Sequence, residues 1–398
     1  MNIPKLRFKD NNGNDYPQWE KKKLEKLVSI YDGTHQTPHY TNNGIKFVSV
    51  ENIKNLYASD KFISQEAFSK EFKNIPALND ILMTRIGDVG TATLVTKNEP
   101  LAYYVSLALL KQKKEIFMPF LLQYINSNFF QKELWKRTLH IAFPKKINKN
   151  EIGKCFIKLP ISKEQEKIAK FINTVDKKIE NIENTISNLE NQKKGLLQQI
   201  FSQKLRFKDE NGNNYPNWEK KKLGDITTSY SGGTPSVNVK DYYNGAIPFI
   251  KSGEIHNSFT ETFITETGLN SSSAKLVKKG DLLFALYGAT SGDTSISKIN
   301  GAINQAILCV RSTTLNLHYL YELLNFYRNK LLSIYLQGGQ GNFSATIFKN
   351  LIFNFPCLEE QTKIADFLSA FDRKLDNQKA QLEHWQQIKK GLLQQMFV

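Results

Sequence analysis

The stretch Glu164–Phe201 reads EQEKIAKFINTVDKKIENIENTISNLENQKKGLLQQIF, and Glu360–Phe397 reads EQTKIADFLSAFDRKLDNQKAQLEHWQQIKKGLLQQMF, 196 residues later (360 − 164). In both stretches apolar residues recur in steps of three and four, the spacing of a helix that turns one stripe toward a partner helix. The seam residues are Ile168, Ile172, Val175, Ile179, Ile182, Ile186, Leu189, Leu196, Ile364, Leu368, Phe371, Leu375, Leu382, Trp385 and Leu392. Each stretch therefore predicts a long helix, and the natural partner of each helix is the other copy.

Two lysines, Lys193 and Lys389, interrupt the seams at equivalent positions. A polar core residue of this kind can disfavour other registers of a coiled coil. Alternatively, both lysines lie at frayed edges and extend their charge into solvent. The sequence leaves the two interpretations open.

A second repeat precedes each globular portion. Residues 6–24 read LRFKDNNGNDYPQWEKKKL and residues 205–223 read LRFKDENGNNYPNWEKKKL, an offset of 199 (205 − 6), so the chain is a tandem duplication. The predicted parts are a first domain at 1–159 that includes linker 6–24, a long helix at 160–203, a second domain at 204–355 that includes linker 205–223, and a long helix at 356–398.

Each domain shows short β-type runs after turn residues and then a helical stretch, Pro119–Arg137 in the first and Leu317–Leu336 in the second. This mixture predicts two α+β domains separated by a pair of long coiled-coil helices. The first helix leaves the first domain and reaches the second, so the second helix must run back for the seams to meet. We therefore expect an antiparallel pair, an internal pseudo-twofold, and a circular arrangement in which linker 6–24 packs on the end of the second helix. Trp19 and Trp218 are expected to anchor the two linkers in equivalent apolar pockets.

Composition narrows the function class. The 398 residues are 40% hydrophobic and 23% charged, with no run long enough to span a bilayer, and the start MNIPKLRFKD lacks an apolar signal core, so we expect a cytoplasmic protein without membrane partners. Three scattered cysteines predict neither a disulfide framework nor a zinc site. A net charge of +16 favours a polyanionic partner such as nucleic acid.

The duplicated layout, together with several short motifs, resembles the specificity subunit of Type I restriction-modification systems over the whole chain. The motifs are Ser231-Gly232-Gly233-Thr234-Pro235, Gly280-Asp281-Leu282-Leu283-Phe284, Gly288-Ala289-Thr290, and Pro356 followed by Glu360-Gln361 and Ile364-Ala365, with Pro160, Glu164-Gln165 and Ile168-Ala169 in the first copy. The first copy departs at Asp32-Gly33-Thr34-His35, with one glycine instead of two. The second departs at Leu286, where Arg85 of the first copy matches the family's usual arginine.

The resemblance implies two target recognition domains that each read half of a bipartite site in double-stranded DNA. It also implies helices that set the spacer and dock modification (methyltransferase) subunits, two of them, with restriction (translocase and nuclease) subunits joining through the complex. S-adenosylmethionine, ATP and Mg²⁺ are then expected on those partners, with no cofactor on this chain. The alternative is a coiled-coil scaffold that tethers two protein-interaction domains.

Candidate DNA-binding residues combine flexible donors and acceptors with positive charge and close backbone approach. They are Thr34, His35, Arg85, Lys145, Lys146, Gly233, Thr234, Tyr287, Thr290, Gln337, Gln340, Asn342 and Ser344. His35 and His39 have the i, i+4 spacing of a helical metal pair, but Pro38 between them argues against a metal site. No phosphate-binding loop, HExxH or amino-methyltransferase motif is found, so no catalytic residue is predicted.

Overall fold

The structure is a computed structural model that describes residues 4–335 and 342–397. It divides into two compact units, Met1–Asn184 with Ala380–Val398, and Thr185–Lys379. Each unit therefore combines one recognition domain with one end of each long helix.

The first half of the chain, up to the end of the first long helix, contains nine strands and five α-helices among its described residues. The strands are β1 (Glu20–Lys23), β2 (Val28–Asp32), β3 (Ile45–Val48), β4 (Phe62–Ile63), β5 (Ile81–Thr84), β6 (Ala92–Leu94), β7 (Leu101–Tyr103), β8 (Leu107–Gln112) and β9 (Phe156–Leu159). The helices are α1 (Gln65–Glu71), α2 (Met118–Ile125), α3 (Asn128–Arg137), α4 (Lys149–Gly153) and α5 (Ser162–Phe201). Short 3₁₀ turns occupy Leu24–Lys26, Val50–Asn52 and Leu56–Ala58.

The second half repeats this order. Its strands are β10 (Glu219–Lys222), β11 (Thr228–Ser231), β12 (Tyr243–Ile250), β13 (Phe263–Ile264), β14 (Lys275–Val277), β15 (Leu282–Ala285), β16 (Thr294–Ile296), β17 (Gly301–Ile303), β18 (Ile307–Arg311) and β19 (Ile352–Phe355). Its helices are α6 (Leu223–Ile226), α7 (Glu266–Asn270), α8 (Leu317–Tyr335), α9 (Ala345–Lys349) and α10 (Leu358–Met396), with 3₁₀ turns at Lys240–Tyr242 and Ser252–Glu254.

Three sheets recur in each domain. The first domain has the antiparallel order β2-β8-β5-β6, a smaller sheet β4-β3-β7 in which β3 and β7 are parallel, and the pair β1-β9. The second domain has β11-β18-β15-β16, β13-β12-β17-β14 and β10-β19. Strand β14 is the addition in the second domain, and the shared order confirms the α+β fold and the duplication.

The central strands owe their position to residues that are buried on both faces. Along β5, Ile81 and Met83 join the core that also contains the ends of the long helices, whereas Leu82 joins the core of the smaller sheet. Along β15, Leu282 and Leu283 divide in the same way. Because successive strand side chains point to opposite faces, each continuous apolar run supplies two cores at once.

One predicted helix is wrong in its extent. The stretch Pro119–Arg137 falls in two helices: α2 ends at Ile125, and Ser127 caps α3 by accepting a hydrogen bond from the amide of Phe130 at 3.4 Å. The corresponding stretch of the second domain is the single helix α8, and the predicted last residue, Leu336, lies outside the described residues.

The long helices are confirmed as continuous elements of 40 and 39 residues. In the first unit Asp176 of α5 pairs with Lys389 of α10 at 2.6 Å, and in the second unit Lys193 of α5 pairs with Asp372 of α10 at the same distance. Early residues of one helix thus meet late residues of the other within each unit, which is the antiparallel pairing. The seam lysines are partly buried ion-pair partners, so the alternative in which they only extend into solvent does not hold.

The linker of the first unit packs on the end of α10, as the circular arrangement predicts. The amide of Leu6 donates to the carbonyl of Gln395 at 3.0 Å, and the amide of Leu205 donates to that of Gln199 at 3.0 Å. The indole of Trp19 lies against the rings of Phe120 and Phe397. At the equivalent place, Trp218 lies against Tyr319, whose ring also contacts Phe201.

Candidate nucleic-acid interface

In the first domain, three of the candidate residues converge at one end of the large sheet. The amide of Val105 donates to the carbonyl of Thr34 at 2.9 Å, and the carbonyl of Val105 accepts from the Arg85 guanidinium at 3.4 Å. The amide of Ile147 then donates to the carbonyl of Arg85 at 2.9 Å, which brings Lys146 beside it. Segments that are distant in sequence are thereby held at one surface.

A close backbone approach at this surface requires glycine. A Cβ atom on Gly33 would lie 2.2 Å from the carbonyl oxygen of Tyr103, and one on Gly232 would lie 1.8 Å from that of Ile303. Gly33 of the first copy therefore corresponds to Gly232, the first glycine of the second copy, because both allow the same close approach to a carbonyl. Thr34 aligns with Gly233, since both amides donate to the carbonyl that crowds the preceding glycine, that of Tyr103 or Ile303.

Arg85 lies inside the domain, with 7% of its surface exposed. Its guanidinium contacts Asp32 at 2.6 Å and donates to the carbonyl of Ile147 at 3.1 Å. In the second domain Ser231 and Leu286 occupy the corresponding positions, so both members of this ion pair are replaced together. The direct DNA contact expected of Arg85 stays a prediction, which this buried placement disfavours.

The segment before Ile147 forms a closed loop, Leu139–Lys146. The amide of Leu139 donates to the carbonyl of Lys146 at 2.7 Å, and the amide of Gly87 donates to that of Lys145 at 2.7 Å. The side chains of Lys145, Lys146 and His35 are exposed. The loop thus presents two cations beside a surface built from backbone donors and acceptors.

In the second domain, the candidates Thr234 and Tyr287 share a partner that sequence reasoning missed. The Thr234 hydroxyl donates to the amide oxygen of Gln305 at 2.6 Å, and Gln305 also hydrogen-bonds the hydroxyl of Tyr287, whose pKa is raised by burial. Gln305 is itself exposed, so this pair of contacts lies at the surface of the domain. The sequence signal for Gln305 is the polar pair Asn304-Gln305 after the buried run of β17.

Three further candidates of the second domain, Thr290, Asn342 and Ser344, follow β15 or precede α9. The carbonyl of Thr290 accepts from the amide of Asp293 at 2.9 Å within a turn, and Asn342 is exposed. The Ser344 hydroxyl caps α9 by accepting from the amide of Ile347 at 3.1 Å, so it has an internal use. The amide of Phe343 donates to the carbonyl of Leu286 at 2.7 Å, as Ile147 does to Arg85 in the first domain. Gln337 and Gln340 lie outside the described residues.

The most deeply buried carboxylates belong to neither loop surface. Glu164 and Glu360, at the starts of the long helices, are fully buried. Glu164 accepts from the guanidinium of Arg7 at 2.8 Å and from the indole of Trp19 at 3.0 Å. Acids in a first turn complement the helix dipole. These two also have internal partners, which come from the linker, and the repetition of the linker residues is the sequence signal for them.

Among residues 4–335 and 342–397, no cluster of three metal-ligating side chains is found, and no helix is long and apolar enough to cross a bilayer. The pattern that remains is a pair of loop surfaces on two copies of one scaffold.

This pattern is that of a known family. The chain belongs to the family described as Type I restriction modification DNA specificity domain, which it matches twice, over residues 16–191 and 215–384.

Individual relatives agree with this assignment. The Type I restriction enzyme MjaIX specificity subunit of Methanocaldococcus jannaschii is 30% identical over 216 residues, which cover 51% of this chain and 49% of that protein. The putative type I restriction enzyme MjaX specificity subunit of the same organism is 25% identical over 414 residues, covering 97% and 94%. The chain therefore spans about half the length of the first relative and most of the second.

A solved S subunit of a Type-I restriction-modification system from M. genitalium has a TM-score of 0.66 with this chain, at 16% identity and 99% coverage of both. A likeness at that identity shows the fold alone, and it is the fold of two similar domains with two long helices.

Proposed function

We propose that this chain is the DNA-binding specificity subunit of a Type I restriction-modification complex, and that each recognition domain reads one half of a bipartite site. One observation carries the proposal: in two domains of the same sheet order, sequences of unrelated character precede two residues, Ile147 and Phe343, that make equivalent hydrogen bonds. The segment entering Ile147 is HIAFPKK, and the one entering Phe343 is QGGQGN. A reader of two different half-sites needs such variation on a constant frame.

We further propose that α5 and α10 set the spacer and dock two modification subunits, through which restriction subunits join. The chain is then non-catalytic, and S-adenosylmethionine, ATP and Mg²⁺ bind to the partner subunits. A second solved structure has a TM-score of 0.57 with this chain at 15% identity. It comes from work on complex assembly and conformational transition of the type I R-M system, which is in line with a subunit that docks partners.

Domain exchange tests the bipartite proposal. Residues 224–355 are replaced by the matching domain of another family member, and methylated motifs are mapped by sequencing the DNA of cells that also express the modification subunits. We expect one half-site to change while the other stays as it was. Loss or change of both half-sites would contradict independent reading.

The scaffold alternative differs in its salt dependence. A DNA-binding chain with a basic loop surface loses affinity steeply as salt rises, because phosphate contacts release counterions. Titration of the full chain with a mixed-sequence duplex at about 50 and 200 mM salt is therefore expected to show markedly weaker binding at the higher concentration. A scaffold would bind the duplex at neither salt concentration.

The spacer proposal has its own test. Removing one heptad from each long helix shortens each by about 10 Å, at 1.5 Å per residue, which is about three base pairs of duplex. The mapped motif is expected to keep both half-sites with a spacer shortened by about that number. An unchanged spacer would contradict the role of the helices.

A further inference from the structure

Two large apolar side chains stand at the tip of the Leu139–Lys146 loop without cover. Ile141 is 99% exposed and Phe143 is 103% exposed, relative to a fully accessible residue. Burial of side chains of this size stabilises a fold, and neither side chain gains this stabilisation within this chain. Their exposure therefore indicates a surface that is covered by something else.

Backbone hydrogen bonds at the base of the loop hold the tip in place. The Leu139 and Lys146 backbones form a β-bridge, Lys146 bridges Ile86, and the amide of Gly87 donates to the carbonyl of Lys145. The ring of His140 lies 4.4 Å from that of Trp135, and its Nε2 contacts the Trp135 carbonyl at 2.8 Å. The loop thus projects its apolar pair from a base that is fixed at both ends.

The surroundings of the tip are positively charged. Within the described part of the chain, Lys132, Lys145 and Lys146 have no carboxylate within ion-pair distance. Glu133 is paired with Lys136 at 3.2 Å. Asp88 accepts from the hydroxyl of Thr91 at 2.6 Å and adds one negative charge near these three lysines. Lys132 and Lys145 line a cleft of about 420 Å³ beside the loop. An apolar tip next to unpaired cations complements DNA, whose apolar base faces lie between charged backbones.

We propose that Ile141 and Phe143 form a wedge that inserts between stacked bases of the half-site read by the first domain, while Lys132 and Lys145 contact the adjacent phosphates. The inference rests on the proposed function and adds a mode of reading by deformation. Proteins that bend DNA use Phe and Ile side chains in this way, and easily unstacked base steps then favour binding without base-specific hydrogen bonds.

The segment that precedes Phe343 carries no equivalent apolar pair in its sequence. This segment, 337–342, reads QGGQGN and contains no large apolar residue, and Phe343 is buried. Deformation is therefore expected in one half-site only, which makes the two domains internal controls for each other.

The test uses duplexes that the wild-type full chain enriches from a randomised 40-base-pair pool, with 2-aminopurine placed at successive positions. Insertion unstacks the probe and raises its fluorescence at one or two adjacent positions of one half-site. The double variant Ile141→Ala/Phe143→Ala is expected to abolish that rise and to weaken binding by roughly tenfold. The control Ile75→Ala/Leu78→Ala removes two exposed apolar side chains that precede β5, at the opposite end of the strand from Arg85, and is expected to change neither readout.

Each outcome decides between specific alternatives. A wild-type chain that enriches no duplex contradicts the proposed function itself. Binding without any fluorescence rise, or a rise that survives in the double variant, overturns the wedge alone. A double variant that keeps the rise but no longer co-purifies with the modification subunits assigns the tip to protein docking, which also overturns the wedge. Because both side chains are exposed, thermal midpoints of all variants are expected to match the wild type.

Discussion

The contacts at the start of α5 and at the start of α10 are nearly identical, whereas the loop surfaces of the two domains have little in common. At the helix starts, Glu164 accepts from Arg7 and Glu360 accepts from Arg206, with separations of 2.8 and 2.7 Å. The indoles of Trp19 and Trp218 complete the two clusters at 3.0 and 3.1 Å. We call each set of Arg, Trp and Glu a clasp.

At the loop surfaces the duplication has diverged instead. The buried pair Asp32–Arg85 has become Ser231 and Leu286, and the polar contact Thr234–Gln305 has no counterpart in the first domain. Residues that close a linker onto a long helix are kept in both copies. Residues at the sheet end differ between the copies, whether they are buried, as Arg85 is, or exposed, as Gln305 is.

One difference lies within the repeated part of the structure, where α2 and α8 contact the long helices. Lys193 contacts both Glu322 at 2.8 Å and Asp372 at 2.6 Å. In the first unit, Gln123 occupies the place of Glu322 and donates to Asp176 at 2.8 Å, while Lys389 contacts the same carboxylate. A buried amide on one side thus corresponds to a buried acid on the other.

The largest expected effect comes from breaking a clasp. Glu164→Ala leaves the guanidinium of Arg7 and the indole of Trp19 without their buried acceptor, and we expect the free energy of unfolding to fall by about 3–5 kcal/mol. Glu360→Ala is expected to have an effect of the same size, because the two clasps have matching geometry. Urea unfolding followed by tryptophan fluorescence measures both.

Exposed acids on the same helices provide the controls. Glu166→Ala and Asp366→Ala remove carboxylates that face solvent and are expected to change stability by less than about 0.5 kcal/mol. If Glu164→Ala and Glu360→Ala differed by several kcal/mol, the clasps would not be energetically equivalent despite their geometry.

The sequence predicted most of the frame and less of the surfaces. The period of the apolar seam and the repeat offsets were enough for the helices, the duplication and the linker on the end of α10, because long periodic patterns carry strong signals. The break at Ser127 was missed, since apolar spacing continues from α2 into α3 and only the cap marks the boundary.

The surfaces were harder because they depend on contacts between residues distant in sequence. Gln305 reaches Thr234 only after β11 and β18 pair, and Arg85, after β5, meets Asp32, at the end of β2, only after β8 has paired with both strands. The full exposure of Ile141 and Phe143 also required the structure, as an apolar pair in a loop reads equally well as core.

The second-largest expected effect concerns Glu322, which corresponds to Gln123 of the first unit. Burial raises the pKa of Glu322 from 4.5 to about 7, against the opposing effect of Lys193. Between these values the folded protein holds a proton that the unfolded chain has released, so this group makes the free energy of unfolding decrease as pH rises. Glu322→Gln removes the titration, and we expect its stability relative to wild type to increase by about 2 kcal/mol from pH 5 to pH 8.

The first unit supplies the matched variant. Gln123→Glu places an acid beside Asp176 and Lys389, as Glu322 lies beside Asp372 and Lys193, and is expected to add a pH dependence of the same sign. Denaturant unfolding at pH 5, 6, 7 and 8 follows both variants. A difference between Glu322→Gln and wild type that is constant over this range would show that Glu322 does not titrate in it.

The smallest expected effect is that of moving the chain ends, and it tests whether the two clasps close equivalent junctions. In the natural order α5 continues into its linker, and residues 200–204 span from the carbonyl of Gln199 to the amide of Leu205. At the other junction, the carbonyl of Gln395 already accepts from the amide of Leu6, and joining residue 398 to residue 1 would leave 396–398 and 1–5 to span the same step. Eight residues (3 + 5) then replace five, so the connection closes without strain.

A chain permuted in this way and opened near Gln203 is therefore expected to keep its free energy of unfolding within about 1 kcal/mol of wild type and to specify the same methylated motif. The matched control is opened between Asn184 and Thr185, in the middle of α5, where the cut removes helical hydrogen bonds and interrupts the seam. That chain is expected to be clearly less stable. If the two permuted chains were equally destabilised, the junction at Gln203 would contribute more than a connection, and the two halves would not be interchangeable in chain order.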